Sequence, residues 1–161
     1  SGNIDSAIQE CDKQKGSVAN VIKAGLLKYK DVEAHPGLDT EKSVLAIQKE
    51  IEEATTLEMP MLEKNLTVIA TLVSIGTLTG LLGTVTGMIK AFSALATGGA
   101  PDSAKLANGI SEALINTATG IGTSTIAIIF YNILTSKIDT LTYSIDEAGF
   151  SIVQTYAANH K

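Results

Sequence analysis

Residues 65–89, NLTVIATLVSIGTLTGLLGTVTGMI, form an uncharged run bounded by Lys64 and Lys90. Residues 113–136, ALINTATGIGTSTIAIIFYNILTS, form a second run between Glu112 and Lys137. At about 1.5 Å of helical rise per residue, either run is long enough to cross a hydrocarbon core of about 30 Å. One short polar segment separates them, so the pattern predicts a transmembrane helical hairpin. Outside these runs the apolar positions recur at helical spacing. Ile4, Ala7, Ile8 and Cys11 predict a helix over residues 3–14, after which Gly16 supplies a stop and Ser17 a new N-cap. Val18, Val21, Ile22, Leu26 and Tyr29 share one face of a second helix, which ends in a loop at His35, Pro36 and Gly37.

Asp39 or Thr40 caps the third predicted helix, whose apolar positions Val44, Ile47, Ile51 and Ala54 follow a 3-4 spacing. Nothing before Ala96 ends it. Pro60 lies within it and is expected to kink rather than break a rod on the order of 80 Å long. Residues 97–101 form the turn, and Asp102 or Ser103 caps the return helix. That helix continues past the second run, because Ile138, Leu141, Ile145, Ala148 and Ile152 keep a heptad-like stripe through the polar tail. The tail is expected to pack on the first soluble helices, and the two long helices to run antiparallel with their soluble arms on one side of a bilayer.

The runs are rich in hydroxyls and glycines, which a simple anchor does not need. Gly76, Gly80, Gly83 and Gly87 are spaced 4, 3 and 4 apart on one helix face, a bare groove that another helix can approach closely. Thr77 and Thr84 sit seven apart beside this groove, and Thr117 and Ser124 repeat the spacing on the second helix. Two readings follow from the residues: hydroxyls bonded to backbone carbonyls between packed helices, or a lumen lined by uncharged hydrogen-bonding groups. Glu112 begins the second run, with Asn116, Thr119 and Thr123 following on its face. It reads either as a solvated acid favoured by the helix dipole or as the mouth of a polar pathway. No Asp, Glu, His or Lys occupies the middle of either run, so a proton crossing here needs a titratable group from a partner helix.

Composition narrows the classes. The 161 residues contain no Arg and no Trp and carry a net charge of −5, which argues against a nucleic-acid surface. The lone Cys11 has no internal disulfide partner and reads as a half-buried helix residue in a reducing compartment. The flanking lysines give only a small charge bias across the spans and, with Cys11, slightly favour cytoplasmic arms. His35 and His160 read as surface residues. No nucleophile triad, phosphate loop or metal spacing occurs, and no enzyme activity or cofactor is expected. The opening SGNIDSAIQE lacks the basic and apolar regions of a signal peptide, and the expectation is either that an N-terminal segment was removed or that part of the protein precedes it.

The segments GLLGTVTGMIKAF (residues 80–92) and GISEALINTATGIG (residues 109–122), with Tyr131 and Asn132 beyond, resemble the ExbB/TolQ/MotA family of proton-channel subunits, nearest ExbB and TolQ. The resemblance covers residues 62–141 well and the preceding soluble helices loosely. It implies an inner-membrane motor component, usually a homopentamer around the single spans of an ExbD-like or TolR-like dimer whose aspartate carries the proton. Proton flow would then drive work on envelope partners such as TonB. The family's pore threonines fall on Thr84 and Thr117, and its motif glutamate falls on Glu112. The resemblance also implies a further transmembrane helix ahead of the soluble helices. Where the family carries two prolines this chain has Thr77 and Ile126, and Thr77 would add a third hydroxyl ring.

The expected architecture is therefore an all-α, multi-pass membrane protein of the bacterial inner membrane. Residues 1–63 form a cytoplasmic helical domain and stalk, 64–90 a transmembrane helix, and 91–112 a periplasmic turn with the start of the return helix. Residues 113–136 form a second transmembrane helix and 137–161 a cytoplasmic tail. The expected pore residues are Thr84, Thr117 and Glu112, with Thr77, Asn116 and Ser124 as further pore or packing groups and Gly76, Gly80, Gly83 and Gly87 as packing groups. An α-helical pore-forming toxin with an inserting hairpin and a passive membrane scaffold are the alternatives.

Overall fold

The computed structural model describes residues 2–35, 39–96 and 102–160. The expected turn over residues 97–101, and Pro36 and Gly37 of the first loop, lie outside the described residues. The described residues form four helices joined by short connections: α1 (Gly2–Gln14), α2 (Ser17–Glu33), α3 (Thr40–Ala96) and α4 (Ser103–Asn159). Pro60 lies inside α3 without ending it. Two compact units divide the chain, unit 1 comprising Ser1–Lys64 with Thr135–Lys161 and unit 2 comprising Asn65–Leu134.

Unit 1 is a helical bundle around Val21, Tyr29, Val32, Ile47, Ile51, Ile145 and Tyr156. Tyr29 meets Tyr156 edge to face at 4.9 Å, which joins α2 to the last turns of α4. Ion pairs tie α1 to α2, Lys30 to Asp5 at 2.6 Å and Lys23 to Asp12. Cys11 is half-buried, and that burial pushes its thiol above the usual range.

Four expectations are corrected here. Gly16, not Ser17, is the N-cap of α2, at φ 106° where a side chain would strain the backbone. Ser17 is the first helical residue, and its hydroxyl bonds the Glu58 carboxylate, which Asn20 Nδ2 also reaches at 2.9 Å. The buried stripe of α2 runs through Ala19, Val21, Gly25, Tyr29 and Val32, leaving Ile22 and Leu26 only half-buried at its flank. Leu141 is 40% exposed, and the half-buried position beside it belongs to Thr142, whose hydroxyl lies 3.5 Å from Met59 Sδ. His160 is not a free surface residue. Its ring stacks on Tyr156 at 4.3 Å, and its carbonyl accepts a bond from the Thr40 hydroxyl at 3.0 Å.

Unit 2 is an antiparallel pair formed by the later part of α3 and the earlier part of α4. Gly76 faces Ser124, Gly80 faces Gly120, Gly87 faces Ala113 and Ala91 faces Gly109. The seam therefore advances along α3 in the steps by which it retreats along α4. The backbones are so close that a Cβ built on Gly120 would lie 2.7 Å from the Gly76 carbonyl oxygen. Large side chains point away from this seam: Leu78, Leu82 and Leu114 are each 63% exposed. The most apolar windows of α3 and α4 are only 6% and 11% buried. A soluble core helix would be mostly covered, so these two helices, long and apolar enough to cross a membrane, leave to another medium or another chain the surface that the protein does not cover.

Candidate functional site

The equal seven-residue spacings of the hydroxyls become two cross-helix pairs once α3 and α4 run antiparallel. Thr77 Oγ1 donates to Ser124 Oγ at 2.9 Å, and Ser124 Oγ donates to the Val73 carbonyl at 2.7 Å. Two turns on, Thr84 Oγ1 and Thr117 Oγ1 hydrogen-bond each other. Each is also within reach of the carbonyl four residues back on its own helix, Thr84 to Gly80 at 3.2 Å and Thr117 to Ala113 at 3.2 Å. Glycine at 80 lets the facing backbone approach, since a Cβ there would lie 3.0 Å from Gly120 Cα, and the Thr117 hydroxyl oxygen also lies 3.5 Å from the Gly80 carbonyl.

The Thr84–Thr117 pair holds two hydroxyl protons. One serves the partner hydroxyl and the other a backbone carbonyl, which leaves oxygen lone pairs unused. Such a pair can accept a bond from a protonated acid. By turning a hydroxyl off its carbonyl it can also donate to the ionised acid. Both threonines are half-buried rather than sealed, and Thr84 borders an open apolar groove with Met88 and Phe92. Ser124 is deeper, at 7% exposed, and its hydroxyl is committed within the helix pair.

Glu112 and Asn116 are not brought to this flank. Residues five apart on a helix are about 140° apart around its axis, so Glu112 and Thr117 point in different directions. Asn116, Thr119 and Thr123 instead line a second groove of about 600 Å³, with Thr79 and Thr86 opposite and Gly76, Gly80 and Gly83 among its lining. Gly83 is where the Asn116 side chain crosses, for a Cβ there would lie 2.5 Å from Asn116 Cβ. Beyond this groove Lys90 Nζ donates to Glu112 Oε1 at 2.8 Å.

Lys90 was not singled out from the sequence as a partner for Glu112, and neither Gly109 nor Gly120 was singled out as a packing residue. The signal for the glycines was present, since Gly109, Ala113, Gly120 and Ser124 form a small-residue stripe matching the one on α3. Setting the two stripes against each other also brings Lys90 opposite Glu112. No cluster of three or more His, Cys, Asp or Glu suited to a metal ion occurs among the described residues.

Comparison with known proteins places the sequence beside several relatives. Over 124 residues the chain is 32% identical to the Tol-Pal system protein TolQ of Pseudomonas aeruginosa, covering 77% of this chain and 54% of that protein. Over 88 residues it is 34% identical to the putative biopolymer transport protein ExbB-like 3 of Synechocystis, covering 53% of this chain and 42% of that protein. A putative ExbB homolog of Methanothermobacter thermautotrophicus is 32% identical over 93 residues, which is 58% of this chain and 33% of that protein. The chain thus spans about half or less of the length of these curated relatives. The sequence profile of the MotA/TolQ/ExbB proton channel family matches residues 13–147, and the chain belongs to that family.

Proposed function

We propose that this chain is a proton-channel subunit of an inner-membrane motor that uses the proton motive force to do work across the cell envelope. Its α3 and α4 cross the bilayer through residues 64–90 and 113–136, with the helical arms in the cytoplasm and residues 91–112 at the periplasmic side. Copies of the chain, five by the family resemblance, surround the single spans of an ExbD-like or TolR-like dimer. The partner supplies the titratable carboxyl that this chain's spans lack. Relatives named for both the Tol-Pal system and biopolymer transport are compatible with the reading, and a TonB-like protein is the envelope partner favoured by the ExbB resemblance.

One observation carries this reading: the Thr84–Thr117 hydroxyl pair, uncharged, half-buried and flanked by no acid of its own. A group that must bond a carboxyl in both protonation states without trapping either needs to donate and accept, and a fixed charge cannot do both. Glu112, at the start of the second span, helps admit or release protons at the mouth.

Thr84→Val and Thr117→Val, each measured in the complex purified with its partner, are expected to keep assembly. Proton flux into liposomes should fall about tenfold or more, since a hydrogen bond to a charged group contributes about 1.5–3 kcal/mol. Wild-type flux in both variants would overturn the pore assignment and leave the hydroxyls as interhelical packing groups. Recovery of the wild-type chain from cytosol or medium without detergent would point instead to a pore-forming toxin, whereas retention in membranes after carbonate washing supports the channel subunit.

A further inference from the structure

The second groove of unit 2 is polar at one end and apolar at the other. Thr86 and Asn116 line it three residues inside the ends of the two uncharged runs, whereas Leu72 and Ile75 line it beyond the middle of the first run. Leu72 precedes Thr86 by fourteen residues, which is about 21 Å along the helix. The groove therefore runs from the edge of the hydrocarbon core to somewhat past its midplane, the reach of a straightened chain from one leaflet of a core about 30 Å thick. The hydroxyls of Thr86, Thr119 and Thr123 bond carbonyls of their own helices, those of Gly83, Ile115 and Thr119 at 3.0, 2.8 and 2.9 Å. The Asn116 carboxamide, which crosses α3 at Gly83, has no hydrogen-bond partner among the described residues. Such a group is costly in hydrocarbon, and its depth is that of the ester carbonyls of a lipid. One helical turn further out, Lys90 Nζ meets Glu112 Oε1 at 2.8 Å. That pair uses one of three ammonium protons and one of two carboxylate oxygens.

We propose that this groove binds one phospholipid whose zwitterionic headgroup ends in a primary ammonium. One acyl chain lies along the groove against Leu72 and Ile75, and an ester carbonyl accepts a bond from Asn116 Nδ2. The phosphate meets the Lys90 ammonium, and the lipid ammonium donates to Glu112 Oε2. Charge complementarity sets the selectivity. A headgroup with net negative charge is repelled by Glu112, and a trimethylammonium has no N–H to donate. The inference rests on the reading of α3 and α4 as membrane spans, and not on the route of the proton.

The test uses the complex purified with its native partner and placed in nanodiscs of phosphatidylethanolamine and phosphatidylcholine. A trace of phosphatidylethanolamine carries a photoreactive diazirine at the end of one acyl chain, and mass spectrometry locates the adducts. Label is expected on Leu72 and Ile75, and unlabelled phosphatidylethanolamine should displace it about threefold more effectively than phosphatidylcholine, the scale of an exposed charge contact. Leu78, exposed outside the groove, should take label with no such preference. Thr119→Phe fills the groove and should bring label at Leu72 and Ile75 down severalfold while sparing Leu78. Glu112→Gln leaves the groove open and should abolish only the preference between headgroups, which keeps the test intact if Thr119→Phe fails to assemble. Label at Leu72 and Ile75 without headgroup preference would mean unspecific boundary lipid and overturn the site. Label on Leu78 with none in the groove would mean that protein covers it, and would overturn the site while leaving the spans in place. No label on either face would overturn the membrane spans and this inference with them.

Discussion

In unit 1 the largest fully buried side chains are Val21, Ile47 and Ile145, whereas in unit 2 the buried positions belong to Ala91, Ala113, Ser124 and the glycines at 80, 87, 109 and 120. The two units solve opposite problems. Water drives large apolar groups inward, so unit 1 draws its stability from burying them. Unit 2 leaves Leu78, Leu82, Leu114 and Ile115 outward, an arrangement suited to lipid, where burial of such groups yields no hydrophobic gain and helices join through close backbone contact and hydroxyl bonds. The glycines show the contrast most clearly. In unit 1, Gly25 and Gly149 flank the Ile51 side chain, while in unit 2, Gly120 makes room for the Gly76 and Gly80 backbone.

The largest expected effect is in unit 1. Ile47→Ala removes three carbons from a site with no exposure and should destabilise the bundle by about 2–5 kcal/mol. Hydrogen exchange of α2 amides in the detergent-solubilised protein measures it, with exchange in unit 2 as the internal reference. The next effect is in unit 2, where Gly120→Ala forces a methyl against backbone atoms and should destabilise the helix pair by about 1–3 kcal/mol. Gly122 has open space around its missing side chain, so Gly122→Ala should be neutral or stabilising by up to about 1 kcal/mol. Equal thermal midpoints for the two glycine variants would erase the distinction between the seam and the outer face.

Much of this contrast could be read from the chain, and the parts that could not share a physical cause. The helices were legible because charge-free length and apolar period are local properties. The hydroxyls were legible as two equal seven-residue spacings, although which of them pair across the helices was not. The register between helices is not local, and Lys90 against Glu112 depends on it. A seam can drift by one residue because steps of three and four both approximate a helical turn. The apolar stripe therefore pointed to Leu141, while packing placed Thr142 inward. At Gly16 the backbone turns through a conformation that the sequence signalled only as a stop.

A smaller effect asks whether the glycine contrast is one of partners. A Cβ at Gly25 would lie 2.7 Å from Ile51 Cγ1, which belongs to a side chain. Gly25→Ala should therefore destabilise by about 1 kcal/mol, and in the double variant with Ile51→Ala the loss should be less than the sum by about 0.5 kcal/mol or more. No side-chain truncation should relieve Gly120→Ala in this way, because its nearest neighbours are Gly80 Cα and the Gly76 carbonyl. A cycle showing strict additivity at Gly25 and Ile51 would remove the difference between the two kinds of glycine contact.

The smallest effects concern one aspartate in each unit. Asp31 is held below the usual carboxylate range chiefly by the Lys28 ammonium, which donates to it at 2.9 Å. Asp102 is held low first by the Lys105 backbone N–H at 3.1 Å, as the N-cap of α4, and only then by the Lys105 side chain. Because both folded values are depressed, each contribution is present in full above the ordinary Asp value of about 3.9 and is lost as the pH falls through the lower folded value. Lys28→Gln should return Asp31 to the ordinary range. Lys105→Gln should leave Asp102 depressed, since the backbone donor remains. Carboxyl titration by NMR in detergent distinguishes the two, and an Asp102 that becomes ordinary in Lys105→Gln would show that a surface ion pair, rather than the helix end, fixes its charge.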